Sequence, residues 1–591
     1  LRVLFIYPDV GTMLSPEYQH GIGMLVSVLK QAGVECRVLY LHEEPGDEKL
    51  VEEARQFSPG LIGFSAATNQ YPTAVRYARL LKDALDVPLI IGGVHAGLAP
   101  DSVMAESAFD MLCVGEGEGP IVDLVEALEK DEDFSNIPNL WVRRKEETIK
   151  NAPRRLVEDL DSLPFPDRGS FDFENILSAQ QSASLLSGRG CPFNCAYCAN
   201  EGLRRLYQGK GKYVRRRSVD NVFAEMSKLS GAYDIQKWHF HDDIFTLDRE
   251  WVRDFCERYP GRSSIPFDVN VRVETVDRDM LSMLADAGCE WIQVGVESGS
   301  ERVRGEIMGR PMEEERILKV FKDARELGLR TWSFNMVGLP GETPEDARAT
   351  YELNRRLCPD HMQVSVFNPY PGTRLFDECR ERGVLTGENR PGYFVPETVL
   401  DLPEFPADKI RQAHQELIRM RDYCHAKNRL YRELGGRPAV DFVELMDSAE
   451  VHAPEPGFVK EDYFTIGDDT RRVLMVHPPS RVLFRVRLPK SAVLRAGLSL
   501  HPQILDKGGG DGVIFTVRAG RRKKKLSEIF TRTLDPKRNP EHRGWHEMEA
   551  DLSGSGGKKT WIEFETKTVD PERPEYNTAG FGFPVVVVKN V

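Results

Sequence analysis

Up to about residue 145, short apolar runs alternate with helical patterns. Residues 3–7, 36–41, 61–65, 88–92 and 111–114 have the length and apolar content of buried strands. Between the first two, Ile22, Leu25, Val26 and Leu29 recur at offsets 0, 3, 4 and 7, the spacing of one helical face, and Gly33 ends that helix. Repeated strand–helix–strand units predict a parallel sheet covered on both sides, with ligands at the carboxyl ends of its strands. The alternation returns between residues 181 and 400, with strand candidates at 182–187, 237–241, 267–273, 291–297, 331–337 and 362–367. Ile317, Val320, Phe321 and Ala324 mark one intervening helix, closed by Gly328. Another opens at Thr343, Pro344, Glu345 and Asp346: an N-cap, a first-turn proline and two acids at the positive end of the helix dipole. Six such units predict a partial barrel with its working face at the carboxyl ends. From residue 466 the period drops to two. Val482, Phe484, Val486 and Leu488 alternate with polar positions, as do Val513, Phe515 and Val517, and Met548, Ala550 and Leu552. With the glycine turn at 508–512 and the apolar run 583–588, this predicts an antiparallel β-sandwich.

The segments between these patterns read as connectors. Residues 146–180 are proline-bearing and aperiodic, which favours extended chain. Residues 407–434 are charged and helical, with Ile410, Ala413, Leu417 and Met420 on one face, and the stretch to 465 is an acidic linker. The expected division is therefore 1–145, 146–180, 181–400, 401–465 and 466–591.

Composition narrows the classes. Forty-one per cent hydrophobic and 29% charged residues fit a soluble globular chain, and no apolar run reaches membrane-spanning length. The net charge of −13 argues against nucleic acid as a partner. The chain begins at Leu1 in place of Met, so its natural start is expected upstream; the apolar opening is too short for a signal peptide. Ten scattered cysteines do not make a disulfide framework and suit a reducing cytoplasm, with Cys36, Cys113 and Cys289 as core residues. Arg215, Arg216 and Arg217, and the run from Arg521 to Lys525, read first as solvated charge; the alternative is a place beside an anionic cofactor site for the first and docking to an anionic substrate or membrane surface for the second.

Cys191, Cys195 and Cys198 stand four and three residues apart on a strand-to-helix loop that follows Ser187, Gly188, Arg189 and Gly190. Three thiolates can hold three irons of a [4Fe–4S] cluster and leave the fourth open. A structural zinc site would want a fourth ligand, and none stands nearby in sequence. This C-x3-C-x2-C pattern, with Tyr197 before the last cysteine, resembles the motif of the radical S-adenosylmethionine (SAM) superfamily.

The loops closing the N-terminal strands hold Tyr7, Pro8 and Gly11; Ser65, Thr68 and Asn69; Gly92, Gly93, Val94 and His95; and Gly115, Glu116 and Gly117. Ahead of a cysteine motif, they resemble the cobalamin-binding domain of cobalamin-dependent radical SAM enzymes. The resemblance implies a flavodoxin-like, Rossmann-type α/β domain that binds cobalamin through these residues. The Asp-x-His-x-x-Gly motif of many cobalamin domains is missing. This implies cobalamin held without its own base and without a His ligand to cobalt, with His95 as a hydrogen-bond partner. In the partial (β/α)6 TIM barrel, the resemblance implies that Asp242 or Asp243, Arg272, Glu297, Ser298, Asn335 and Gly338, with Phe193 and Tyr197, surround SAM. The C-terminal pattern resembles a galactose-binding-like jelly roll.

The family's chemistry implies a methyltransferase. Its cluster splits SAM, the 5′-deoxyadenosyl radical removes hydrogen from an unactivated carbon, and methylcobalamin delivers the methyl group. The alternatives are a non-methylating rearrangement, cyclisation or oxidation with the same cofactors, and a non-catalytic corrinoid-binding sensor. The expected partners are a small-molecule, glycan-bearing or lipid-linked substrate and a flavodoxin- or ferredoxin-type electron donor. Peripheral membrane contact and oligomeric state are left open.

Overall fold

The computed structural model describes residues 1–591 except 12–14, 146, 388–394, 435–437, 468, 507–510, 571–576 and 589–591. The chain divides into two compact units: residues 1–357 with 362–417, and residues 358–361 with 418–591.

The first unit holds two sheets. The N-terminal one comprises β1 (Arg2–Pro8), β2 (Glu35–Leu41), β3 (Leu61–Ser65), β4 (Leu89–Gly92), β5 (Met111–Cys113), β6 (Leu140–Arg144) and β7 (Glu147–Lys150), in the order β2-β1-β3-β4-β5-β6-β7. The first five strands are parallel and follow the flavodoxin order. β6 and β7 add an antiparallel hairpin, so the sheet runs to Lys150, past the expected edge at residue 145. Helix α1 (His20–Gln31) buries Ile22, Val26 and Leu29 in one core with Ile121, Leu124 and Val125 of the helix Glu118–Lys130.

The following connector is more structured than its composition suggests. It carries the short turn Leu160–Ser162 and the helix Phe173–Gln180, capped by Asp172. Its Arg168 is buried, with the guanidinium 3.6 Å from the Tyr18 ring centroid and 3.3 Å from Glu225. The segment is thereby fastened to both of its neighbours.

The second sheet comprises β8 (Ala183–Leu185), β11 (Trp238–Phe240), β12 (Phe267–Val271), β13 (Cys289–Glu297), β14 (Arg330–Val337) and β15 (His361–Val366), ordered β15-β14-β13-β12-β11-β8. β8, β11, β12, β13 and β14 are parallel. This is the expected six-stranded open barrel. Beside it lies a short antiparallel ribbon of β9 (Gly188–Arg189) and β10 (Arg215–Arg216). The helix Pro344–Leu357 starts where its cap predicted, with Thr343 Oγ1 accepting from the Asp346 amide. The helix Ala407–Glu433 begins by packing Ile410 against Gly338.

In the second unit two antiparallel sheets share one core. One is ordered Val459–Ile466, Asp469–Val476, Ala579–Val588, Ala492–Leu500, His546–Asp551; the other Glu450–His452, Ser480–Arg487, Lys559–Thr568, Val513–Arg522, Lys525–Leu534. Every period-two residue named above is at most 6% exposed. The sheets recruit Val440–Asp441, Glu450–His452 and Val459–Ile466 from what reads in sequence as a linker. The basic run occupies the turn between Val513–Arg522 and Lys525–Leu534, while residues 508–510 of the glycine turn lie outside the described residues.

Candidate functional site

The cysteine loop hangs from the β9–β10 ribbon. Gly188 faces Arg216 and Arg189 faces Arg215. A Cβ on Gly188 would lie 2.8 Å from the Arg215 carbonyl; one on Gly190, whose φ is +87°, would lie 2.5 Å from the Tyr213 carbonyl. These glycines therefore allow a close approach to the backbone at Tyr213 and Arg215. Past them the loop is pinned to the barrel: the Ala196 amide donates to Met308 O at 2.8 Å, and Arg374 to Asn194 O at 2.9 Å.

Cys191 and Cys195 are buried and Cys198 half-buried. Burial pushes the Cys191 thiol up and the Cys198 thiol up to about 11. Arg272 Nη1 donates to Cys195 Sγ at 3.4 Å while its guanidinium stacks 3.7 Å from the Phe193 ring centroid, and Arg272 Nη2 holds Glu274 at 2.5 Å. Arg272, expected around SAM, thus braces the loop itself. Among the described residues no three His, Cys, Asp or Glu side chains converge on one metal ion.

The two aspartates after β11 separate into different roles. Asp242 is 3% exposed and accepts from the Ser187 amide at 3.0 Å and Ser187 Oγ at 2.6 Å, stapling the ribbon's root. Asp243 keeps open surface although burial raises its carboxyl; Asn200 Nδ2 donates to it at 2.9 Å. Glu297, at φ +67°, is buried at the end of β13, and burial raises its carboxyl against the pull of Arg310 at 3.6 Å. Arg310 also donates to Gly295 O at 2.8 Å and to Tyr197 Oη at 3.4 Å. Arg310 is missing from the sequence reading because it sits alone, beyond the strand-end motifs.

Two expected SAM neighbours face elsewhere. Asn335 accepts from Asn354 Nδ2 at 2.7 Å and donates to Ser333 Oγ at 3.1 Å, on the helix-facing side of β14. Thr331, Ser333, Asn335 and Val337 are the buried alternates of that strand; Trp332, Phe334 and Met336 occupy the other face. Ser298 is fully buried, with its Oγ 3.2 Å from Thr350 Oγ1. Gly338 holds a φ of +84°, and its amide donates 2.6 Å to Glu342 Oε2, which also accepts from Leu339.

Burial raises Glu342 to about 8, and its Oε1 has no partner, so the folded chain holds it protonated at neutral pH. A raised carboxyl stabilises the fold fully below the unfolded value near 4.5, and that contribution is lost as pH climbs towards 8. The melting temperature of Glu342→Gln, which keeps an acceptor for both amides, should therefore gain on that of the unsubstituted chain between about pH 4.5 and 8 and then level off.

Three histidines absent from the sequence-based site lie close together. His239 and His241 stack edge-on with centroids 4.4 Å apart, and His20 of α1 lies 6.2 Å from His241. Burial lowers all three, His241 to about 4, so they are neutral imidazoles. His20 Nε2 lies 3.0 Å from Ser184 Oγ.

Between the two sheets lies a cavity of about 350 Å³. Ser65, Gly92, Gly93, Gly115, Glu116 and Gly117 wall one side; Leu186, Gly188 and Arg189 wall the other. α1 contributes His20 and Met24, and the connector contributes Leu163, Pro164, Phe165 and Pro166, none of which stood out in sequence. A Cβ on Gly92 would meet only Cys113 Cβ, at an ordinary contact distance of 3.9 Å. Gly115 is different: at φ +90° its Cβ would fall 1.9 Å from Tyr207 Oη, so this glycine admits a barrel side chain. Behind the wall, His95 is 3% exposed, stacks on Tyr71 and holds Thr68 Oγ1 at 3.1 Å. Its Nε2, and both amide atoms of buried Asn69, have no partner. Such orphaned groups fit a corrinoid edged with amides, which can both donate and accept. Tyr7 and Pro8 are buried in β1, where Gln70 donates to Tyr7 Oη at 2.6 Å; Gly11 and Val94 are exposed. None of these four is among the cavity walls.

Arg215 and Arg217 are neither solvated nor set against an open anion site. Arg217 pairs with Glu225 at 2.5 Å, and Arg215, with a side chain 3% exposed, pairs with Glu116 at 2.6 Å.

Residues 9–125 match the family model of the B12 binding domain, and residues 185–353 that of the Radical SAM superfamily. An uncharacterized methyltransferase of Pyrococcus horikoshii is 27% identical over 69% of this chain and 90% of its own length. The cytidylyl-2-hydroxyethylphosphonate methyltransferase of Streptomyces wedmorensis is 25% identical over 63% and 79%. An anaerobic magnesium-protoporphyrin IX monomethyl ester cyclase of Cereibacter sphaeroides is 25% identical over 65% and 64%. Among solved structures, the radical SAM methyltransferase TsrM of Kitasatospora setae, with cobalamin and [4Fe–4S] cluster bound, superposes with a TM-score of 0.54 at 19% identity, over 70% of this chain and 81% of that one. The cobalamin-dependent radical enzyme OxsB gives 0.51 at 18% identity, over 64% and 55%. At these identities the superpositions speak for the fold. The chain thus joins a B12-binding domain within residues 9–125 to a radical SAM domain within residues 185–353.

Proposed function

We propose that the chain is a cobalamin-dependent radical SAM methyltransferase acting on an unactivated carbon. The observation that carries this reading is a shared wall: Gly188 and Arg189, which lead directly into Cys191, also line the cavity bounded opposite by Ser65, Gly92, Gly93, Gly115 and Gly117. With a cluster on Cys191, Cys195 and Cys198 and cobalamin in the cavity, the first would supply the electron that splits SAM and the second the methyl group.

The protein's own residues position and shield. Tyr197, Arg310 and Glu297 give a buried polar wall beside the loop, and Asp243 with Asn200 another; both suit the charged and hydroxyl groups of SAM. His20, His239 and His241 offer uncharged donors and acceptors to a polar substrate between the domains. Residues 163–166 close the cavity on the connector side and exclude water.

The matched methyltransferases favour methylation, and the cyclase keeps a non-methylating reaction with the same cofactors as the second reading. No helix among the described residues is long and apolar enough to cross a membrane. A cytoplasmic setting, a flavodoxin- or ferredoxin-type electron donor and a small, glycan-bearing or lipid-linked substrate complete the proposal.

The test is anaerobic incubation of the iron- and cobalamin-loaded protein with methyl-labelled SAM, strong reductant and fractionated cell extract. Label in a metabolite, together with 5′-deoxyadenosine and S-adenosylhomocysteine, is the expected result. Deoxyadenosine without label transfer would select the non-methylating reading. Absence of SAM cleavage would sink both and leave a corrinoid sensor.

A further inference from the structure

Glu116 stands in a loop that the family resemblance assigns to cobalamin, yet its carboxylate is committed elsewhere. Arg215 Nη2 and Nη1 hold its two oxygens at 2.6 and 3.1 Å, and Arg189 Nη1 adds a contact at 3.1 Å. Glu118 takes the other end of Arg189 at 2.7 Å. Tyr207 Oη meets the Glu116 amide, in the space left by Gly115. Arg215 also donates to Val157 O of the connector at 2.8 Å. Burial works against the Glu116 charge, but Arg215 and Arg189 outweigh it and hold the carboxyl below its usual range. One carboxylate therefore grips both strands of the β9–β10 ribbon, and Arg189 lies two residues before Cys191. Gly115 and Gly117 on either side of Glu116 are walls of the cavity.

We infer that Glu116, seated on Arg189 and Arg215, is a positioning residue that fixes the corrin-facing loop relative to the cluster loop and so sets the approach of SAM's methyl group to cobalt. This rests on the functional reading above. A bidentate, largely buried charge pair is directional and tolerates little sliding, unlike an apolar contact. Its removal should misalign the two loops while leaving each able to bind its own cofactor.

Two measurements test this on the full chain. In the cofactor-free protein, Glu116→Ala should raise amide hydrogen exchange across residues 187–198 by about tenfold or more, through loss of the local restraint. In the loaded protein, transfer of the SAM methyl group to added cob(I)alamin should fall about tenfold or more relative to reductive SAM cleavage, which needs the cluster alone. Glu116→Gln, which keeps an acceptor oxygen without the charge and disturbs folding less, should fall between. Unchanged exchange at 187–198, or methyl transfer and cleavage declining in equal proportion, would overturn the assignment. If exchange rises in the variant while the unsubstituted protein performs neither reaction, the tie is supported and the methyltransferase reading is what fails.

Discussion

Replacing Cys195 with Ala should abolish SAM cleavage, with 5′-deoxyadenosine formation lower by about 10³-fold or more, equivalent to about 4 kcal/mol at the transition state. The thiol is buried, braced by Arg272 at 3.4 Å and carried on a loop pinned through Ala196 and Asn194, so no neighbouring side chain can move into its place. Iron and sulfide after reconstitution should fall with activity, since two remaining thiolates hold a cubane poorly. Cys256→Ala is the control. That thiol is also buried, and pushed up to about 12, but it packs in the apolar core of the first unit. Its loss should cost only about 1 kcal/mol of stability and leave iron content unchanged. Equal iron in the two variants would remove the cluster from this loop.

The second large effect is expected at Arg310. The Ala variant strands Glu297, already raised by burial, without the cation that draws it down, and leaves Gly295 O without its donor. Breaking a buried pair from one side costs about 3–5 kcal/mol. Protonation of Glu297 removes the unpaired charge, so the deficit should shrink as pH is lowered and widen as pH rises through the carboxyl's raised value. Arg310→Lys should rescue little, because one ammonium cannot span Gly295 O, Tyr197 Oη and Glu297 together. Chemical denaturation of the three proteins across pH checks this; a deficit independent of pH would show that Glu297 is not the group left exposed to the loss.

The fold was largely legible because buried parallel strands and amphipathic helices write their periods directly into sequence. The six barrel strands and the five of the flavodoxin-like sheet fall within two residues of the apolar runs that announce them. The cysteine loop was legible from spacing. Strand parity was harder. Asn335 looks like a site residue at a strand end, but one register step places it against Asn354 among the helices. Glycines misled in another way: a left-handed residue in a loop signals close approach without saying by what, and at Gly115 the visitor is Tyr207. His20, Arg310 and residues 163–166 carry no local pattern at all. They reach the site only through tertiary packing, which no short window of sequence records.

The cavity's boundaries bear on how such chains can be recombined. Its enclosure is assembled from α1, the strand-end loops, the proline-bearing strap at 163–166 and the ribbon ahead of Cys191. A graft that exchanged only residues 1–150 between relatives would carry in a foreign Glu116 and a foreign α1 while keeping the host's Arg189, Arg215 and strap. Inheritance of a new corrin-binding half therefore has to bring the strap and the ribbon with it, and the heritable module is longer than the domain.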